Sequence, residues 1–167
     1  MSDPATDAFE ALVAVDRPVY VVTTRAGDER SGCLVGFATQ VSIEPPRLLA
    51  CISRANHTHG VVARTEHVAV QLIPREHSDL AELFGGQTGD EVDKFARCAW
   101  SEGPHGLPIL DGAGVWLAGR ILERFALGDH TGLLLEPVDG EMRLADDSLP
   151  AWVSLADVVD VEPGHTA

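Results

Sequence analysis

Three clusters in this 167-residue chain bring together residue types that could bind or turn over a small molecule. The first runs from Ser31 to Arg47, where Gly32 and Gly36 interrupt strand-forming residues. Glycine weakens an ordinary strand through entropy and lost packing, so the pair implies a bend or a close approach by something other than a side chain. A strand of that kind can lay the backbone of Cys33, Leu34, Val35, Gly36 and Phe37 against a flat ligand. The second cluster is Ser53, Arg54, Asn56 and Thr58, two hydroxyls, a guanidinium and an amide at the start of a short predicted helix. Such donors beside helix N-terminal amides suit a phosphate. Simple helix capping by Asn or Thr is the competing reading. The third is Gly128-Asp129-His130, a turn between two apolar runs that ends in an imidazole; Asp129 reads as a turn former, and a solvent-exposed turn histidine is the alternative role for His130.

Other chemistries are poorly served. Cys33, Cys51 and Cys98 are odd in number and widely spaced, which argues against a disulfide framework and a zinc knuckle. His57 and His59 lack a third ligand at matching spacing, and no metal site is expected. A redox-active thiol needs a resolving partner or a lowered pKa, so Cys33 reads as packing and Cys51, in an apolar strand, as core.

The formal charge of −14, from 26 acidic and 12 basic residues, repels nucleic acid and anionic membrane surfaces. Neither is expected as a partner. An anionic ligand then needs local cations such as Arg47 or Arg54. The acidic start of the chain has no basic or apolar signal pattern, which gives a cytoplasmic expectation.

The elements that would position these residues follow from periodicity. Phe9, Leu12 and Val13 form a helical stripe over about 6 to 14 that should pack across the core, stopped by Arg17-Pro18. Val19 to Thr24 is β-branched and meets the glycine strand as a hairpin through Ala26 to Glu29. Leu48 to Ile52 and His67 to Leu72 read as strands separated by a helix from His59 to Arg64. A helix from Glu76 to Phe84 closes at Gly85-Gly86. Gln87 to Leu110 reads as a covering excursion, and Val115 to Ala126 with Thr131 to Glu136 as a long hairpin. About six strands with inserted helices favour a closed antiparallel barrel in one domain.

The glycine strand, the corner Ser42-Ile43-Glu44-Pro45-Pro46, the pair Thr58-His59 and the turn Gly128-Asp129-His130 together resemble the motifs of the flavin reductase family, in its order, over Val19 to Val138. The resemblance implies a mainly β fold with inserted helices, a six-stranded antiparallel Greek-key split β-barrel that binds FMN, or FAD. Residues 1–17 would form an entry helix, 18–138 the barrel and 139–167 a C-terminal extension of no assigned match.

It further implies an NADH- or NADPH-dependent flavin reductase, a homodimer with sites at the subunit interface, and a flavin-consuming monooxygenase as partner. Backbone amides of Cys33 to Phe37 would meet the ring's pyrimidine edge, Ser53, Arg54, Asn56 and Thr58 the phosphate, and His130 would be the catalytic side chain, positioning nicotinamide or managing charge at the ring. The chain departs from the family pattern in having Leu34, Gly36 and Phe37 where hydroxyls are common, and Ser53-Arg54 in place of Asn-Arg. These departures keep open a flavin-binding, or deazaflavin-binding, module without turnover.

Overall fold

The computed structural model describes residues 3–86, 92–143 and 151–160. Helix α1 (Pro4–Val13) starts where Asp3 accepts from the Ala5 amide and Pro4 supplies a pre-set first turn. Strands β1 (Tyr20–Ala26) and β2 (Glu29–Val35) form a hairpin whose turn takes Gly27 to φ +59°. Then come β3 (Phe37–Ser42), β4 (Arg47–Ser53), α2 (His57–Val62), β5 (His67–Leu72) and α3 (Ser78–Gly86). A small ribbon of β6 (Trp100–Glu102) and β7 (Pro108–Leu110) follows, then the long hairpin β8 (Val115–Ala126) and β9 (His130–Met142), and α4 (Leu155–Val158).

Seven strands, not six, make one antiparallel sheet in the order β2-β1-β5-β8-β9-β4-β3. The count differs because the glycine strand breaks at Gly36: the residues before it pair with β1, those after it with β4. Strands β2 and β3, consecutive in the chain, are therefore the two edges of the sheet. Val22, Cys33, Val35, Ile52, Val70 and Leu133, from five different strands, meet in one buried cluster, so the sheet curls around it and its edges approach along a seam. An edge strand leaves one rim of backbone N–H and C=O groups without a ladder partner.

Outside the barrel, α3 buries Leu80, Ala81 and Phe84 against Val19 and Val21 of the β1 segment. Gly32 permits this packing: a Cβ there would lie 2.7 Å from the Phe84 ring. The buried Lys94 locks the contact, its Nζ donating to Gly32 O at 2.9 Å and Phe84 O at 3.0 Å. Burial holds this ammonium below its ordinary pKa.

The entry helix differs from expectation. None of its residues is buried; Phe9 and Leu12 are 64% and 76% exposed. Its stripe is apolar, but the curled sheet already covers its own core and offers the helix no open face.

The C-terminal stretch, by contrast, inserts into the fold. Val153 is fully buried, receives a hydrogen bond from Val19 N and donates one to Ile73 O. Helix α4 then opens with a capping box between Ser154 and Asp157.

Candidate functional site

A cleft of about 300 Å³ opens at the seam, lined by Cys33, Leu34, Val35, Gly36 and Phe37 from the strand break. Gly36 explains itself here. Its φ is not positive, and a Cβ would meet no protein atom within 4 Å, so neither backbone conformation nor packing demands glycine. What the missing side chain leaves is space beside an edge-strand backbone, which a flat ligand can use. The two glycines thus separate: Gly32 makes room for Phe84, and Gly36 borders the cleft.

Ser53 and Asn56 line the same cleft, as do Asp129 and His130. The pairing of β4 with β9 puts Ser53 directly across from His130. Arg54 N donates to Asp129 O at 2.9 Å, which docks the 128–130 turn onto the corner after β4. Gly128, at φ +98°, turns the chain there. His130 Nδ1 and Asp129 Oδ1 are 2.7 Å apart, and that hydrogen bond holds the Asp129 carboxyl below its ordinary pKa. The imidazole also lies 4.8 Å from the Phe37 ring, centroid to centroid. Two segments about 75 residues apart thus form a single wall.

The phosphate cluster is only partly in place. Thr58 is buried and its hydroxyl shares a 2.8 Å hydrogen bond with Ser31, so it faces the barrel interior. Asn56 caps α2, accepting from Thr58 N at 2.9 Å, and its NH₂ group is not used by that bond. The amides of Arg54, Ala55 and Asn56 already have partners in the turn, so they are not the free donors that the sequence pattern implied. Arg54 is exposed at the rim, its guanidinium 3.5 Å from Gly128 O, and does not line the cleft. Side chains rather than helix amides are what this corner offers an anion.

Some lining residues had no signal in the sequence. Arg17, read as a helix stop, donates from Nε to Gly36 O at 2.9 Å and lies over the Phe37 ring at 5.4 Å. Cys51, read as core, is half-buried and pairs across from Phe37, facing the cleft. Phe84 and Gly85 of α3 and Leu155 and Val158 of α4 complete the lining. Burial pushes the Cys33 thiol up to about 11 and raises that of Cys51, so both are thiols at neutral pH. Behind the wall, His59 Nε2 meets Thr131 Oγ1 at 2.8 Å; burial first, then Arg54 and Arg124, lower its pKa.

The chain matches the family model described as the flavin reductase like domain over residues 12–154. It is 32% identical over 143 residues to FMN reductase (NADH) RutF of Stutzerimonas stutzeri (strain A1501), covering 86% of this chain and 82% of that one. It is 33% identical over 149 residues to the 4-hydroxyphenylacetate 3-monooxygenase reductase component of Pseudomonas aeruginosa, covering 88% of each. Among solved structures, the Streptomyces globisporus C-1027 NADH:FAD oxidoreductase SgcE6 superposes with a TM-score of 0.79 at 25% identity, over 92% of this chain and 90% of that one. The FMN-binding protein of Thermus thermophilus superposes at 0.74 and 27% identity, over 78% of this chain and 73% of that one.

Proposed function

The chain belongs to the flavin reductase like domain family and is an FMN-binding, nicotinamide-dependent oxidoreductase; we propose that its chemistry takes place in the seam cleft, with NADH as the reductant. The observation that carries this is the convergence of Gly36, the Ser53–Asn56 corner and His130 on one cleft, where a glycine leaves room that the protein itself does not fill. The donor set fits FMN, with an open backbone edge for the ring and hydroxyl, carboxamide and guanidinium groups for the phosphate. When bound, FMN supplies a ring that accepts hydride from reduced nicotinamide and can pass the electron pair on.

The residues have separable tasks in this reading. The edge of β2 at Cys33 to Val35 and the backbone at Gly36 and Phe37 hold the polar edge of the ring, where preformed N–H dipoles oppose developing negative charge. Ser53 and Asn56 hold the phosphate from inside the cleft, and Arg54 neutralises it from the rim. His130, wedged between Asp129 and Phe37, orients the nicotinamide, since hydride transfer depends on positioning rather than on a protein acid or base.

The working unit is a homodimer. Phe9, Leu12, Val15 and Ile43 are each more than 60% exposed, apolar side chains that a second copy of the chain would cover. Reduced flavin then passes to a flavin-consuming monooxygenase, as the name of the Pseudomonas aeruginosa relative suggests. Among the described residues no helix is long and apolar enough to cross a membrane. Three free cysteines and a need for reduced nicotinamide fit a cytoplasmic setting.

Anaerobic stopped-flow reduction of the FMN-loaded protein by NADH and by NADPH tests the reading. Rapid bleaching near 450 nm with NADH is expected. Tight FMN binding without reduction by either nucleotide would make the protein a flavin carrier instead.

A further inference from the structure

A second, smaller pocket of about 170 Å³ lies behind the wall that β4 and β9 form, where α2 meets the barrel. Strand alternation separates it from the cleft. Ser53 and His130, paired across β4 and β9, line the cleft, while the next pair along the same two strands, Ile52 and Thr131, lines this pocket. Its floor is hydrocarbon, from Ile52, Val62 and Leu133, all members of the barrel's buried core cluster. Its polar groups are three: His59, Thr131 and Arg124.

Arg124 donates from Nη1 to Val62 O at 2.8 Å and from Nη2 to Thr65 O, carbonyls at the C-terminal end of α2. Those bonds orient the guanidinium and use two of its five N–H groups. His59 Nε2 and Thr131 Oγ1, 2.8 Å apart, satisfy one another and leave the hydroxyl able to take a further partner. Burial, then the charge of Arg54, then that of Arg124 hold the His59 pKa down, so both guanidinium groups lie near this ring. Among the described residues no carboxylate pairs with Arg54, His59 or Arg124, in a chain of 26 acidic and 12 basic residues. A cationic corner left unpaired in so acidic a protein, beside an apolar floor, supplies the two halves of a site for an organic anion.

We propose that this pocket is a second binding site, separate from the seam cleft, and that it takes a small monocarboxylic acid with a compact apolar body. The carboxylate accepts from Arg124 and from the Thr131 hydroxyl, and the body covers Ile52, Val62 and Leu133. At about 170 Å³ the pocket is too small for a flavin or a nucleotide. Such a site stands whether or not the cleft holds flavin.

Benzoate is the probe, titrated calorimetrically into the flavin-free protein and into protein saturated with FMN. One benzoate per chain is expected in both. It should bind at least tenfold more tightly than benzyl alcohol, which has the ring without the charge, and than inorganic phosphate, which has the charge without the ring. Arg124→Gln should weaken benzoate at least tenfold. Because Arg124 also caps α2, a second variant leaves every polar group in place: Ala63 is an exposed lining residue, and Ala63→Leu should abolish benzoate binding while the urea midpoint and the FMN affinity stay unchanged. Uptake is counted at this pocket only where Ala63→Leu removes it. Arg64→Gln, one residue on and outside the pocket, should leave benzoate affinity as it is.

Benzyl alcohol binding as tightly as benzoate would leave only an apolar hollow, and phosphate binding as tightly would leave only an inorganic-anion site; either overturns the assignment. So would the absence of saturable benzoate uptake, or uptake that Ala63→Leu leaves unchanged. Loss of benzoate binding on saturation with FMN would place benzoate in the seam cleft and overturn it too. Failure of FMN itself to bind would remove the flavin reading and leave this site to be decided by the flavin-free titration.

Discussion

At the scale of single residues, Gly32 and Gly36 look alike in the sequence and should behave oppositely. Gly32→Ala forces a methyl group into the buried Phe84 ring and should cost roughly 1–3 kcal/mol of stability, read as a lower midpoint in urea. Gly36→Ala should leave that midpoint alone and weaken FMN about tenfold in a fluorescence titration, because its methyl group enters cleft space that no protein atom fills. His130→Ala should slow anaerobic reduction by NADH tenfold to a hundredfold, about 1.4 to 2.7 kcal/mol of barrier, with a much smaller effect on the FMN dissociation constant. Unchanged reduction kinetics would return His130 to an ordinary turn residue. The cysteines give a check through pH. A thiol pushed up to about 11 is protonated well above pH 8, so Cys33 should resist iodoacetamide until the pH approaches that value. Because its folded pKa is raised, the associated stability is present below the ordinary thiol range and is lost as pH rises through about 11. Cys51, half-buried in the cleft, should label slowly at pH 8, and added FMN should slow it further.

At the scale of elements, the hairpin β8–β9 carries the most. Its turn sets His130, and Gly128 at φ +98° sets the turn. Gly128→Ala should cost about 1–2 kcal/mol from left-handed strain alone, and it should also lower the reduction rate by shifting His130. A reduction rate unaffected by this change would detach the turn from the chemistry. This hairpin was legible in the sequence because two apolar runs flank a Gly-Asp turn, a local pattern. Strand β5 was legible for the same kind of reason. The split of the glycine strand was not: whether Gly36 bends one strand or separates two depends on whether the residues after it pair with β1 or with β4, a choice made by the closing of the sheet. Thr58 shows the same limit. Its position at a helix start suggested a phosphate ligand, but the hydroxyl is turned inward by Ser31, 27 residues earlier. Helix α4 was invisible for a further reason, since its four residues are positioned by Arg17, Asp16 and Arg75 rather than by any periodicity of their own.

For the molecule as a whole, the field and the surface matter more than any contact. With a formal charge of −14, association of NADH, itself an anion, should be slow at low salt. Raising ionic strength from 0.01 to 0.15 M shortens the screening length from about 30 to about 8 Å. The bimolecular rate of NADH binding should therefore rise, and a fall would mean that Arg17 and Arg54 dominate the local potential. Sedimentation at micromolar concentration should give a dimer, and Leu12→Glu on the exposed stripe of α1 should shift it toward monomer. The seam has one more consequence, for the protein's life in the cell. Two strand edges that end side by side without pairing are surfaces on which another chain can add a strand. Among the described residues, β2 is covered at Gly32 by Phe84 of α3 and by Lys94. If FMN binds in the cleft as proposed, it would cover part of that edge, and flavin supply during synthesis should then affect how much of the chain stays soluble. Expression in a riboflavin-limited host should drive the chain into inclusion bodies, and restoring riboflavin during synthesis should return it to the supernatant.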